Sequence, residues 1–216
     1  MKTKFNNREL AHVWAGQKQK EGRGSNMFFD GVSIYSYGRH FEIARWVNGA
    51  VLFDSARYSH STAKHQGYVS RAIDHARVFT VPSMTDHSAN VLSYLADVEK
   101  ARAAALRAVK YGPGCKSNAE RAAHNAAEYC ALFKKELPAK LRCEVARTLK
   151  LVKANKLFTA GELAKIAASD ERRRAAEEKR EKRDAADRLA WAAAEPMRAM
   201  TREHGLALAE NERREA

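Results

Sequence analysis

The sequence has few cysteines, and their spacing excludes two kinds of cross-linked domain. Its 216 residues include only Cys115, Cys130 and Cys143, and no two of them form a C-x-x-C pair. An odd number of cysteines at wide separations is typical of neither a disulfide framework nor a zinc knuckle. Because Cys130 and Cys143 stand among Ala, Leu and Val, we expect both to be buried, reduced thiols. His124 could join Cys130 at a metal, but two further ligands are missing, so neither a metal site nor a cofactor is predicted.

Long apolar runs and the best-known catalytic motifs are missing as well. No apolar run approaches the length of a membrane span, and residues 1–6 lack the apolar core of a signal peptide, so we expect a soluble intracellular protein. The sequence contains neither a Walker loop nor an H-E-x-x-H motif. No paired Asp or Glu offers an obvious two-metal site. These absences exclude the commonest signatures of a nucleotide hydrolase or a metalloprotease.

Positive charge, in contrast, is abundant and unevenly placed. The formal net charge is +13 and the isoelectric point is near 9.8. Residues 1–90 carry 12 Lys or Arg against 7 Asp or Glu, whereas residues 98–158 carry 14 against 5. Such an excess indicates an anionic partner, which could be nucleic acid, an acidic protein face or a lipid surface.

The first third of the chain has the pattern of a small antiparallel sheet. Eight of the 18 aromatic residues fall between residues 26 and 58. Apolar runs bounded by turn residues predict a meander of three or four strands, at residues 27–29, 32–37, 41–47 and 51–54. Asn48-Gly49 is a strong hairpin signal, because both residues tolerate positive φ. In the second run Tyr35 and Tyr37 alternate onto one face, and residues 78–81 predict an additional edge strand.

Helices are predicted on both sides of this meander along the chain. Residues 7–19 and 61–76 have apolar residues at helical spacing, and Ser59 or Ser61 would cap the second helix, which we expect to cover one face of the sheet. Beyond His87 the pattern is helical throughout. Start and stop signals predict helices at residues 90–110, from Ser117 or Asn118 to 136, and from Pro138 to about 156.

The C-terminal part has the pattern of a solvated helix. Thr159 and Glu162 form a capping box that starts it. Residues 168–188 contain no Leu, Ile, Val, Phe or Met, but they contain seven opposite-charge pairs at i, i+4, each worth roughly 0.2–0.5 kcal/mol. A coiled coil would need apolar seam positions that are missing here, so we expect a single exposed helix or a frayed tail, with a short amphipathic end that includes Met197 and Met200. Residues 161–169 resemble the start of a helix-turn-helix, but the next segment lacks the apolar residues that seat a recognition helix.

Together these patterns predict an α+β fold in three parts. Residues 1–82 form a small α+β module with an antiparallel meander and covering helices. Residues 83–158 form an all-α basic region. Residues 159–216 form a long, charged and exposed C-terminal helix.

Three surfaces are candidates for anion or nucleic-acid binding. On the meander, Tyr35 and Tyr37 could stack on bases while Arg39 and Arg57 neutralise phosphates. On the helix that follows, a stripe at helical spacing combines cations with an aromatic ring; it comprises Lys64, Tyr68 and Arg71. In the basic region, an i, i+3, i+6 series comprises Arg147, Lys150 and Lys153. The alternative interpretation is structural, with the aromatic residues as the core of the sheet and the cations as its solvated rim.

Histidines close to the same module raise the possibility of catalysis. His40, His60 and Lys64 could form a metal-independent phosphodiesterase or nucleotide-modifying site, because imidazole titrates near neutrality. His65 lies four residues before Val69 on the expected buried stripe of its helix. A packed, hydrogen-bonded histidine is therefore the preferred interpretation at His65.

Several segments of the N-terminal module resemble a known domain. They are residues 25–31, 34–41 and 51–53, followed by Tyr58-Ser59-His60-Ser61-Thr62-Ala63-Lys64-His65. This pattern resembles a small domain that recurs in uncharacterised proteins of bacteriophages and mobile elements. The likeness covers about a quarter of the chain. It implies a phage setting and therefore the host cytoplasm, and it transfers no catalytic residue.

The expected function is that of a non-catalytic, basic phage accessory protein. Its partner would be nucleic acid or a host protein complex that handles nucleic acid, and inhibition of a host defence would fit such a surface; no membrane partner is expected. One alternative is the enzyme with His40, His60 and Lys64. Another is a structural or assembly protein that acts through its C-terminal helix.

Overall fold

The protein has an α+β fold with a mostly antiparallel sheet near the N-terminus and helices after it. The computed structural model describes residues 3–56 and 59–194. The strands are β1 (Glu21–Arg23), β2 (Met27–Asp30), β3 (Ser33–Ser36), β4 (Glu42–Val47), β5 (Ala50–Asp54) and β6 (Arg77–Val81). The helices are α1 (Asn7–Ala15), α2 (His60–Ala72), α3 (His87–Arg107), α4 (Gly112–Leu132), α5 (Ala139–Lys153) and α6 (Ala160–Ala193).

The sheet follows the order of the sequence. Strands β1 to β5 form an antiparallel meander, and α2 then crosses over so that β6 pairs parallel to β5. The turn between β4 and β5 is the predicted one, with Asn48 at φ 46° and Gly49 at φ 81°. Six strands form where the sequence predicts three or four with an additional edge. The unpredicted strand is β1, which contains Gly22; a Cβ there would lie 2.4 Å from the Phe29 ring, so only glycine fits.

One face of the sheet, the α1–α2 face, is covered by α1 and α2. Phe29 and Val51 from the sheet pack in one core cluster with Trp14 of α1 and with Val69 and other apolar residues of α2. The predicted covering helix therefore forms, and Ser59 caps it by accepting a hydrogen bond from the Thr62 N–H. Helix α1 ends at Ala15, four residues before the predicted end.

The opposite face, the α3–α5 face, is covered only at one end of the sheet. Leu52 and Phe79, which pair across β5 and β6, pack with Tyr129 of α4 and Val145 of α5 in a second core cluster. Phe28 of β2 and its cross-strand partners, Arg23 of β1 and Tyr35 of β3, belong to none of the core clusters among the described residues. The β1–β3 end of this face is therefore open to solvent. The predicted division of the chain at residues 82 and 158 stays a prediction.

Helix α4 begins earlier than its sequence predicts. It starts at Gly112, with Pro113 in its first turn, whereas the predicted cap was Ser117 or Asn118. Proline is tolerated there because a first-turn N–H has no partner within the helix. Gly112 itself is fixed by tertiary packing, since its N–H donates to Ser169 Oγ at 3.0 Å and a Cβ would lie 2.4 Å from that oxygen. This close approach joins α4 to α6.

Helix α6 is a single helix of 34 residues that starts where it is predicted to start, and four of its seven predicted i, i+4 pairs form ion pairs. Thr159 and Glu162 form the capping box, and ion pairs at i, i+4 join Arg174 to Asp170 and Lys182 to Glu178. The helix continues without a turn past residue 169, so no helix-turn-helix forms. The amphipathic end with Met197 and Met200 lies outside the described residues. None of the described helices is both long and apolar enough to cross a membrane.

The cysteines are free thiols, and their burial differs from the prediction at one position. Cys130 lies on the buried side of α4, as expected, and burial raises the pKa of its thiol. Cys143 is exposed instead. It lies on the solvent side of α5, whose only fully buried residue is Val145. Apolar neighbours in the sequence did not predict the direction of Cys143, because in a helix adjacent residues point to different sides.

Candidate nucleic-acid interface

The structure separates the predicted binding residues onto the two sides of the sheet. Tyr35 alternates with Ile34, which packs on the α1–α2 face, so Tyr35 lies on the α3–α5 face. Lys64 and Arg71 are exposed on α2, on the opposite side of the sheet, and Tyr68 of the same helix packs against the core there. Arg57 lies outside the described residues. The α2 stripe and the Tyr35 surface therefore cannot contact one ligand together.

Tyr37 does not share a face with Tyr35, contrary to the alternation that the sequence predicts. Strand β3 ends at Ser36, and Tyr37 adopts a positive φ of 61° in the turn that follows. This conformation redirects the side chain, whose ring centroid lies 5.4 Å from that of His65 on α2. Strand alternation holds only while the backbone stays extended, and it therefore fails at this residue.

The ring that does accompany Tyr35 is Phe28, a residue that sequence reasoning did not select. The two residues are opposite each other on β2 and β3, and their rings stack with centroids 5.0 Å apart and planes 19° apart. The Arg39 guanidinium carbon lies 5.9 Å from each centroid, close enough for a cation–π contact with both rings. The register of the β2–β3 hairpin places Phe28 opposite Tyr35 on this surface. The sequence could have predicted this position only from the pairing of the two strands.

Two of the arginines on this face, Arg39 and Arg45, are already paired with acidic residues. Arg39 donates to Asp30 at 2.7 Å, and that hydrogen bond raises the pKa of its guanidinium. Arg45 donates to Glu42 through Nε at 2.8 Å, and this bond likewise raises the pKa of Arg45. A phosphate would have to compete with a carboxylate at either arginine. The open sheet face therefore offers less free positive charge than its arginine content indicates.

Helix α5 carries four exposed cations without an ion-pair partner among the described residues, here called the α5 basic face: Lys140, Arg147, Lys150 and Lys153. The one acidic residue of α5, Glu144, is exposed between Lys140 and Arg147, and Val145 is the buried residue of the helix. Lys140 and Lys153 are about 20 Å apart along the axis at 1.5 Å per residue. Among the described residues none of the four forms an ion pair, unlike the cations of α6. Lys140 is a further residue that the i, i+3, i+6 series did not include.

The residues proposed for catalysis, His40, His60 and Lys64, do not form side-chain hydrogen bonds or ion pairs with one another among the described residues. His40 is exposed in the turn before β4, and His60 is the exposed first residue of α2. No hydrogen bond or ion pair links either of them to Lys64 within the described ranges. Those ranges also contain no group of three or more His, Cys, Asp or Glu that could hold a metal ion.

His65 is the packed histidine that its position predicts. It is 4 % exposed, with Nδ1 2.7 Å from Ser36 Oγ and Nε2 3.3 Å from the amide nitrogen of Asn7. Burial lowers the pKa of its imidazole, and the adjacent Lys64 lowers it further. The histidine therefore joins β3, α1 and α2 beneath the sheet.

This burial predicts a pH-dependent contribution to stability. The unfolded chain takes up the His65 proton as pH falls below about 6.5, whereas the folded chain takes it up only at lower pH. The contribution is therefore complete above the unfolded pKa and is lost as pH falls through the folded pKa. We expect the free energy of unfolding, measured with urea between about pH 7 and pH 5, to fall more steeply for the wild type than for His65→Gln. Equal slopes for the two proteins would contradict this assignment.

Comparisons with known proteins identify no relative of this chain. No family model matches the sequence, and no curated protein or solved structure is significantly similar to it. The resemblance to a phage domain accordingly stays a prediction.

Proposed function

We propose that this protein binds nucleic acid through the α5 basic face and does not catalyse a reaction. The observation that carries the proposal is that these four exposed cations have no acidic partner among the described residues. Solvated helix faces usually mix the two signs of charge. On α5 the single acidic residue, Glu144, forms no ion pair with these cations among the described residues. The unpaired cations can neutralise several phosphates and release their counterions, which is the main source of affinity in sequence-independent binding.

The other candidate surfaces support the proposal less well. Arg39 and Arg45 have carboxylate partners, so a phosphate gains little at either position. The α2 stripe presents Lys64 and Arg71 on the far side of the sheet and has fewer cations in a row. Lys134 and Lys135, shortly before α5 in the sequence, are exposed as well.

Neutralising the α5 basic face tests the proposal. The triple variant Arg147→Gln, Lys150→Gln, Lys153→Gln keeps good helix formers and removes three charges. We expect its affinity for a generic duplex to fall by roughly 10- to 100-fold at low salt, and the slope of log K against log salt to fall by about 3. Fluorescence anisotropy with a labelled duplex at several salt concentrations measures both quantities.

A matched control on α6 separates local contacts from net charge. Arg174→Gln, Arg180→Gln, Lys182→Gln also removes three charges, but each of these cations is paired with a carboxylate one turn away. We expect this control to change affinity only slightly. If the two triple variants lose affinity equally, the α5 basic face has no special role. If the wild type binds no nucleic acid even at low salt, the proposed function is wrong.

The biological setting is a further part of the proposal. We propose a phage accessory protein that acts in the host cytoplasm, either on nucleic acid or on a host complex that handles it, including a defence complex. The resemblance of residues 25–65 to a domain of phage proteins supports this setting. Recovery of partners from infected host cells with and without nuclease treatment tests it, because a bridging nucleic acid is lost with nuclease and a direct protein partner is kept.

A further inference from the structure

A cleft on the open end of the α3–α5 face lies apart from α5. Its volume is about 450 Å³, within the range of ligand sites in proteins. The N-terminal segment, β1, β2 and the turn after β3 form its walls. The charged and aromatic residues that carry its chemistry are Lys4, Glu21, Arg23, Phe28, Asp30 and Arg39, so three cations lie there with two carboxylates.

The cleft combines an aromatic ring with two kinds of charged group. Lys4 and Arg23 are exposed and form no ion pair among the described residues, so both are free to bind an anion. Lys4 is placed there by its bridge to Arg23, with the Phe5 N–H donating to the Arg23 carbonyl at 2.9 Å. Asp30 and Arg39 are held together at 2.7 Å, so that an acceptor and a donor stand side by side.

The Phe28 ring is held in place and is still accessible from the cleft. Tyr35 stacks on it at 5.0 Å but does not line the cleft, so Tyr35 supports the ring from a different side. Phe28 is only half-buried and packs in none of the described core clusters. A planar ligand could therefore stack on it without displacing the core.

We propose that this cleft binds an unstacked nucleobase of a single-stranded nucleic acid. The base stacks on Phe28, the flanking phosphates bind Lys4 and Arg23, and the Asp30–Arg39 pair faces the hydrogen-bonding edge of the base. A duplex cannot use the cleft, because its bases are stacked on one another and their faces are not accessible. This inference rests on the proposed function and names its substrate class as single-stranded.

Three probes test the inference on the intact protein: two single strands of equal backbone charge and a duplex with about twice that charge. They are an oligothymidylate of about 12 nucleotides, an abasic strand of the same length and a duplex of that length. We expect the wild type to bind the oligothymidylate roughly 5- to 100-fold more tightly than the abasic strand, because stacking of a base on an aromatic side chain gives a difference of this size. Equal affinity for the two strands would overturn the inference and leave binding through α5 intact.

Substitutions of Phe28 test whether its ring is responsible for the preference for bases. Phe28→Leu should abolish the preference for bases over the abasic strand while leaving duplex affinity unchanged, and Phe28→Tyr should keep it. Tyr37→Leu is the matched control, since Tyr37 is a more exposed ring that packs against His65 on the other side of the sheet. The α5 triple variant should lower affinity for all three probes by a similar factor. A base preference that survives Phe28→Leu would place the stacking site elsewhere, whereas loss of all binding by the wild type would refute the proposed function as well.

Discussion

Between about 50 and 200 mM salt, we expect the affinity of this protein for generic nucleic acid to fall roughly 10³-fold or more. Six exposed cations lie on α5 and just before it, namely Lys134, Lys135 and the four residues of the α5 basic face. About six phosphate contacts are enough for a loss of this size, because each contact releases counterions whose return becomes more favourable as salt rises. Anisotropy titrations across this range measure the slope directly.

The slope also reports how many of these cations act. A slope near the value expected for six contacts means that all six cations contact phosphates. Strong binding that salt leaves unchanged would contradict the phosphate mechanism. Apolar contacts or hydrogen bonds would then account for the affinity, and the net charge of +13 would not contribute to binding.

Replacing Trp14 by alanine should cost about 3–5 kcal/mol of folding stability. The side chain is fully buried beneath the sheet, its ring centroid lies 6.2 Å from that of Trp46, and its indole N–H donates to the Val32 carbonyl at 3.1 Å. The variant therefore loses apolar burial, leaves a cavity and removes a hydrogen-bond donor. Since small proteins are stable by only about 5–15 kcal/mol, chemical denaturation should detect the change easily.

Trp14→Phe serves as the graded comparison. It keeps an aromatic ring in the core but removes the indole N–H, so we expect a smaller loss of about 1–3 kcal/mol. If both variants lose the same small amount, under about 1 kcal/mol, Trp14 does not anchor α1 to the sheet. Unchanged denaturant m-values would show that the two variants and the wild type unfold through comparable states.

The sequence predicts the local chemistry of this fold well. The Asn48-Gly49 turn, the Ser59 cap of α2 and the Thr159 capping box all form as predicted. Each of these features depends on residues within a few positions of one another. Their conformations follow from φ preferences and from hydrogen bonds between a side chain and the nearby backbone, so a short segment contains the information needed.

Features that depend on packing between two elements were harder to predict. Strand β1 exists because the Phe29 ring packs over Gly22, and α4 begins at Gly112 because that residue lies against Ser169. Phe29 lies opposite Gly22 on the adjacent strand, and Ser169 is 57 residues from Gly112. A glycine in a short polar segment is typical of a turn, and only packing from another element makes it part of a strand or a helix.

Some properties of the candidate surfaces follow from the sequence, and others depend on the tertiary structure. The amino-acid sequence by itself determined the α+β class, the excess of positive charge around α5 and the ion-paired pattern of α6, because composition and periodicity are properties of the chain alone. Tertiary structure decided which charges are free and which rings are accessible. Arg39 is held by Asp30, Tyr37 turns away from Tyr35, and Phe28 joins Lys4 in one cleft, because hairpin register and a single positive φ bring these side chains together or move them apart.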